Sequence, residues 1–410
     1  MTHTELAPVE KRAVGALVLA ETISVLGTRM TYLALPWLVL VTTGSPGKMS
    51  LVLAAELVPM AVLGIPSGMV VQRLGSRRTM LLADLARAPI LASIPLLHAA
   101  GALGFGLLLA IVALLGSFTA PYIASQRTIL PALVGEDETR MAQANSSIEG
   151  GSAVASLAGP AFAGLLIPLV GAPNVLYVDA ATYLGAFLLV LLFVPRREAI
   201  VSALERGVLA GLRFVLADDL LAPLAATTVV FGFLGAGLTA GIPFFAFDQF
   251  DGRAWIGGLF YAALGAGTVV GSVLAVLAVR RVAPLRLAAI GILGFAAPLW
   301  VLPFLPPWPV VCIALCAAGL FTPLVNGPII AVLTARTPEH LRAKVLTAVI
   351  SVSTLAAPLG FLVAGQALEH WGVATLFAAV VAGVTLMALV FAAITWRRSG
   401  SETAGGLVAA

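Results

Sequence analysis

Charge is what this sequence has least of. Of 410 residues only 10% are Asp, Glu, Lys or Arg, while 60% are hydrophobic. A soluble domain carries about 25% charged residues. A water-facing surface cannot be built from this composition, and no room is left for a soluble catalytic domain, so no enzyme activity is expected. Cysteine is nearly absent. Cys312 and Cys316 stand four apart in one apolar stretch and share a helix face. That spacing is open to a redox or metal pair, but in lipid such thiols are more at home as small packing residues. The four histidines, His3, His98, His340 and His370, fall at the ends of apolar stretches or between them. This argues against a buried histidine metal or acid–base centre. No nucleotide-phosphate loop occurs, which argues against direct ATP drive by the chain alone. The stretch Gly265-Ala-Gly267-Thr-Val-Val-Gly271 loosely matches a dinucleotide loop. It lacks the preceding strand and trailing acidic residue that such a loop needs. Its small residues suit close packing of membrane helices. No cofactor and no metal are expected.

What the chain has in quantity is long apolar runs. Twelve can be drawn, at roughly 14–41, 50–71, 79–99, 105–130, 141–167, 174–194, 220–245, 254–279, 286–305, 309–334, 344–366 and 372–396. Each is near the 20 or so residues that cross a bilayer. Helices are the default, because every backbone group must be paired within the membrane; a β-barrel would show alternating segments of about ten residues instead. The expected fold class is therefore an all-α membrane protein of twelve transmembrane helices. Eight prolines (Pro59, Pro89, Pro121, Pro160, Pro243, Pro298, Pro328 and Pro358) lie inside these spans. The first span is too long for a signal-peptide core and is expected to stay.

The basic residues fix the orientation. When the connecting segments are assigned alternately to two sides, 19 of the 23 lysines and arginines collect on one side. Lys48 and Arg253 lie on the other, and Arg29 and Arg87 lie inside spans. Cytoplasmic loops are enriched in this way. A bacterial plasma-membrane protein with both termini in the cytoplasm is expected. The formal charge of +4 is then a topology signal, and no nucleic-acid partner is expected.

The longest hydrophilic stretch, 196–218, carries Ile200, Leu204, Val208, Leu212 and Val215 at helical spacing, with Glu205, Arg206 and Arg213 on other faces. It reads as an amphipathic helix on the cytoplasmic membrane surface. It divides the chain into an N-terminal six-helix bundle (1–195) and a C-terminal one with a short cytoplasmic tail (219–410). The halves look alike. Gly116-Ser117-Phe118-Thr119 of the fourth span matches Gly319-Leu320-Phe321-Thr322 of the tenth, at an offset of 203. The stripe Asn145, Glu149, Ser152 and Ser156 of the fifth span matches Thr347, Ser351, Thr354 and Pro358 of the eleventh, at an offset of 202. Both stripes follow helix-face spacing. Duplication of a six-span unit accounts for these matches and predicts two pseudo-symmetric bundles.

Three stretches carry a family resemblance. Gly68-Met-Val-Val-Gln72-Arg73-Leu-Gly75-Ser-Arg77-Arg78 resembles the signature loop between the second and third spans of major facilitator superfamily transporters. Leu157-Ala-Gly159-Pro160-Ala-Phe-Ala-Gly164 resembles the Gly-Pro element of the fifth span typical of exporters. Leu130-Pro131-Ala-Leu-Val134, followed by Ala144-Asn145, resembles a junction in the drug:proton antiporter subgroup of macrolide-efflux and enterobactin-exporter type. Two six-span halves are a known feature of this superfamily. In the family an acidic residue at the place of Gln72 helps hold one conformation; Gln72 cannot supply that charge, which leaves either a weaker latch or one that leans on Asp84.

Charged residues within spans are costly, about 2.5–3.5 kcal/mol each on insertion scales, and so are candidates for function. Glu21 lies near mid-bilayer, where burial disfavours a carboxylate. It is the leading proton carrier, with a permanent salt-bridge partner as the alternative. Glu149 is a second proton candidate, with a hydrogen-bonded packing stripe as its alternative. Arg29 and Glu56 lie at comparable depth, and an ion pair between them is the preferred arrangement, as a gate or as a fastener of two helices. Asp84 and Arg87, three apart, suit a local ion pair near the signature loop. Asp179 is placed near the outer end of the sixth span, at the interface. No acidic residue lies deep in a span of the second half. Phe118, Tyr122 and Gln126 on the fourth span, Asn145 on the fifth, and Phe321 and Asn326 on the tenth are substrate-cavity candidates. The resemblance raises the fourth and tenth spans, which line the cavity in the family, above the others. It implies a secondary active transporter exporting a small amphiphilic organic compound in exchange for protons by alternating access. A uniporter, a proton-coupled importer and a non-transporting receptor stay open. Membrane lipids are the other partner, and a monomer is expected to function.

Overall fold

The computed structural model describes residues 8–135, 137–196, 208–279 and 281–406. Among them there are helices and connecting turns and no strand. The helices are α1 (Pro8–Thr43), α2 (Pro46–Leu74), α3 (Ser76–Ala99), α4 (Phe105–Val134), α5 (Glu138–Val170), α6 (Ala172–Phe193), α7 (Val208–Ala217), α8 (Leu221–Gln249), α9 (Ala254–Val279), α10 (Pro284–Leu299), α11 (Trp308–Arg336) and α12 (Glu339–Gly406). Eleven carry segments long and apolar enough to cross a membrane. The all-helical membrane class expected from hydropathy is what forms. All eight span prolines lie inside helices.

Local chemistry sets the boundaries. Pro46 opens α2 at a position where its missing N–H costs nothing, and the Ser45 side chain accepts from the Lys48 amide. Asp137 caps α5 by accepting from the Arg140 amide. The tightest junctions rest on glycine. Gly171 joins α5 to α6 at φ 83°, ψ 150°, a region that side chains with a Cβ rarely enter. Gly372, inside α12, has φ 79° and ψ 172° and is non-helical. The apolar part of α12 runs for 51 residues, about 77 Å if straight at 1.5 Å per residue, against roughly 30 Å of hydrocarbon. Gly372 divides it into two arms. Gly171 and Gly372 are 201 residues apart, close to the offsets of the repeated motifs.

The chain forms two compact units, one of Met1–Leu204 with Ala246–Ala262, the other of Glu205–Phe245 with Ala263–Ala410. In the first, α1 packs on α5 and α6, α2 on α4, and α3 on α4 and α6. In the second, α10 packs on α11 and α12, and α7 on α12. Of the amphipathic linker expected over 196–218, residues 197–207 lie outside the described residues. Val208–Ala217 form α7, with Val215 buried and Arg213 exposed. Gly211 of α7 rests directly on the backbone of Lys344.

The duplicated Gly-x-Phe-Thr motif has the same packing consequence in each unit. A Cβ on Gly116 would lie 2.0 Å from the Glu56 carbonyl oxygen of α2. A Cβ on Gly319 would lie 2.2 Å from the Leu264 carbonyl oxygen of α9. In both places the glycine lets two helix backbones touch, the small-residue packing that replaces hydrophobic driving force in lipid.

Candidate functional site

The first unit holds a buried polar cluster where α1, α3, α4 and α6 meet. Glu21 of α1 is 2% exposed, and its Oε1 accepts a 2.8 Å hydrogen bond from the Tyr122 hydroxyl of α4. The Arg87 guanidinium of α3 lies 4.0 Å from the Tyr122 ring centroid and 4.3 Å from that of Tyr183 on α6. Two aromatic quadrupoles thus contact one weakly hydrated planar cation, an arrangement worth about 2 kcal/mol or more when desolvated. Arg87 forms an ion pair with Asp84 one turn earlier, and both residues are buried. The pair uses one oxygen and one nitrogen. Asp84 Oδ2 and Arg87 Nε are buried without a hydrogen-bond partner.

A second carboxyl site adjoins this one. Asp179 of α6 is fully buried. Thr31 of α1 donates to its Oδ2, and the Thr182 hydroxyl lies 3.1 Å from its Oδ1. The Tyr183 hydroxyl is 3.1 Å from Thr28 Oγ1, which ties the aromatic clamp to the same face of α1. The approach depends on Gly27, whose Cβ would fall 2.2 Å from Thr182 Oγ1 and 2.3 Å from Asp179 Oδ1. The interfacial placement of Asp179 is corrected. It stands seven residues into α6, about 10 Å along the axis, and faces α1.

The expected Arg29–Glu56 ion pair is not formed. Arg29 Nε donates instead to Ser156 Oγ of α5 at 3.1 Å, and its guanidinium carbon lies 5.4 Å from the Tyr32 ring centroid. Glu56 remains within Coulombic range of Arg29. Asp84 and Arg87 do pair, as their spacing predicts, but inside the core against two tyrosines. Asp84 is engaged by Arg87 and does not pair with the loop arginines, so it does not stand in for the acidic residue that Gln72 replaces.

In the signature loop, Gly75 has φ 81° and joins α2 to α3. Arg77 donates to the carbonyls of Val194, at 2.6 Å, and Leu191, at 2.7 Å, which closes the end of α6. Gln72, Arg73 and Arg78 are exposed and Gly68 is buried. In the Gly-Pro element, a Cβ on Gly159 would meet Arg29 and Leu26 of α1, and Gly164 abuts Gly258.

With this geometry established, comparison with known proteins decides the family. A family model described as transmembrane secretion effector matches residues 3–404. The chain belongs to this family of the major facilitator superfamily. It is 29% identical over 388 residues to the multidrug efflux pump Tap of Mycolicibacterium fortuitum, covering 89% of this chain and 91% of that one. It is 28% identical over 385 residues to Tap of Mycobacterium tuberculosis strain H37Rv, covering 89% of each. In fold it resembles the nucleoside transporter NupG, at a TM-score of 0.75 and 13% identity over 95% of this chain and 99% of that one. It also resembles a bacterial homologue of the human lysosomal transporter Spinster in an inward-facing, occupied conformation, at 0.75 and 16% over 94% and 97%. The chain is a multi-pass membrane transporter and not an enzyme.

The remaining candidates of this secretion-effector family member fall in different surroundings. Glu149 and Asn145 are exposed on α5. Phe118 and Gln126 are half-buried on α4, whereas Tyr122 is 5% exposed and belongs to the Glu21 cluster. Phe321 packs against Gly294 of α10. The side chain of Asn326 lies outside the described residues. A groove bordered by Trp37, His98, Ile167, Arg253 and Trp255 lies on the first unit and contains none of the candidate residues. Tyr183 and Thr31 are the site residues that sequence reading missed. The signal available was their spacing: Asp179, Thr182 and Tyr183 share one face of α6, as Thr28 and Thr31 do on α1.

Proposed function

We propose that this transporter is a secondary active exporter of a small amphiphilic organic compound, driven by inward proton movement through alternating access. The observation that carries the reading is Glu21: a carboxyl in the middle of an apolar helix, buried, and held by a tyrosine hydroxyl rather than by a cation. A carboxyl so placed gains little from being charged and can take up and release a proton as water reaches it from one side or the other. Glu149, exposed on α5, is the second candidate. The similarity to proteins named multidrug efflux pumps supports export and an organic substrate. The cavity candidates of the sequence, aromatic Phe118 and Phe321 with weakly polar Gln126, suit an amphiphile better than a highly charged nutrient.

The proposed topology has twelve crossings in two six-helix halves, 1–195 and 219–410, with both termini in the cytoplasm of a bacterium. The non-helical Gly372, equivalent in conformation and repeat position to Gly171, supports reading α12 as two crossings. A monomer suffices in this scheme, with protons, substrate and lipid as its partners.

Proteoliposomes loaded with a lipophilic fluorescent cation such as ethidium test the proposal. Ethidium movement should follow an imposed proton gradient and collapse when an ionophore dissipates it. Glu21→Gln should reduce gradient-driven movement to the ionophore level. Full gradient-driven movement in that variant removes Glu21 from coupling; movement independent of the gradient in the parent protein replaces antiport with uniport.

A further inference from the structure

The interior of the first unit has an unequal balance of charge. Three carboxyls are buried there, Glu21 on α1, Asp84 on α3 and Asp179 on α6, against one buried guanidinium, Arg87, while at the margin Glu56 of α2 is half-buried and Arg29 of α1 is exposed. Asp84 is ion-paired with Arg87, and Glu56 lies within Coulombic range of Arg29. The other two carboxyls have hydroxyl donors only, Tyr122 for Glu21 and Thr31 with Thr182 for Asp179. Arg87 is within Coulombic range of both, but its guanidinium is committed to Asp84 and to the faces of Tyr122 and Tyr183.

An isolated buried carboxylate is strongly disfavoured and neutralises by binding a proton. Two like charges in one low-dielectric region disfavour each other further. Neutrality of the sealed cluster therefore requires two protons. Every charged or titratable group facing Asp179 is consistent with this count: Tyr183 from its own helix, Arg87 from α3 and Glu56 from α2, while α1 contributes only the neutral hydroxyls of Thr28 and Thr31. The Asp84–Arg87 pair also leaves two polar atoms unused. Asp84 Oδ2 and Arg87 Nε are both buried, beside Tyr122, and both lack a hydrogen-bond partner. When a neighbouring carboxyl loses its proton, Arg87 still has an unused donor with which to answer the new charge.

We propose that Asp179 is a second proton-binding carboxyl, so that the first unit carries two exchangeable protons, on Glu21 and Asp179, rather than one. This rests on the proton-antiport reading of the same site. In each release an O–H bond breaks, the proton passes to water and one negative charge stays behind, so loss of both protons leaves the cluster two charges more negative.

Infrared difference spectroscopy of the purified, reconstituted full chain, titrated from acid to alkaline pH, reads protonated buried carboxyls directly through their C=O stretch. The parent protein should show two such bands that persist at neutral pH. Glu21→Gln should leave one band, Asp179→Asn should leave the other, and the double variant should leave neither. An unchanged spectrum in Asp179→Asn overturns the proposal, and so does loss of all buried-carboxyl signal in Glu21→Gln. The second result decides the matter even if Asp179→Asn does not fold. The two readings fail differently. If only the antiport reading fails, both bands remain while ethidium movement ignores the gradient; if only the two-proton proposal fails, movement stays gradient-driven with a single band.

Discussion

Arg87 shows how much a single side chain can organise in lipid. It closes an ion pair with Asp84 and is covered by the rings of Tyr122 and Tyr183, so one residue of α3 joins α4 and α6. Removing one partner of a buried pair strands the other charge, at about 3–5 kcal/mol, whereas replacing both by apolar groups is often neutral or better. Asp84→Leu alone and Arg87→Leu alone should therefore each lower the thermal unfolding midpoint in detergent markedly, and the double Asp84→Leu/Arg87→Leu should recover much of the loss. A double variant as unstable as the worse single one would show that stacking, and not charge, dominates. The sequence announces the pair through its three-residue spacing, and it announces Glu21 through depth. It does not announce the tyrosine clamp or the Asp179 site. Hydropathy places a residue along a helix but says nothing about which way that helix is rotated or what stands opposite. Asp179 was legible as an acid and illegible as a buried one for that reason. The Arg29–Glu56 pair failed on the same ground: equal depth on two helices does not bring two side chains together, and Ser156 lies nearer to Arg29.

At the scale of elements, the sequence marks helices and their ends well. The apolar runs fall on helices, and the gaps between the expected spans hold Pro46, which opens α2, and Gly75 and Gly171, which join helices. The signature loop takes on a mechanical meaning that its resemblance alone does not supply. Arg77 holds the last carbonyls of α6 through two hydrogen bonds, as a cation at a helix C-terminus should. Arg77→Ala should cost about 1–3 kcal/mol from these bonds, with amide hydrogen exchange rising first around 191–194. Arg77→Lys should recover only part, because a single ammonium cannot reproduce the forked geometry. Exchange at the end of α6 that stays unchanged in Arg77→Ala would mean that the loop does not brace it.

For the whole molecule, the uneven spread of arginine and lysine is the observation on which the proposed number of crossings and their proposed direction both rest. Orientation is testable by labelling. In a Cys312→Ala/Cys316→Ala background, a cysteine at position 48 should react with a membrane-impermeant maleimide in intact cells. A cysteine at position 205 should react only after the membrane is opened. Labelling of position 205 from outside reverses the topology and with it the direction assigned to the proton. The matching motifs were legible because both halves carry contact-making glycines: Gly116 and Gly319 each let one backbone lie on the next within its own unit. The Glu21 cluster has no such echo, because the second half lacks deep acids. Only the scaffold of the repeat is held in common.

The bend at Gly372 leaves almost no slack. A trans-peptide link advances at most about 3.6 Å per residue, so the two arms of α12 cannot slide past one another by even one helical turn without unwinding. Whatever shifts the end of the first arm must carry the start of the second with it, and an insertion of a few flexible residues at that corner should uncouple the two displacements.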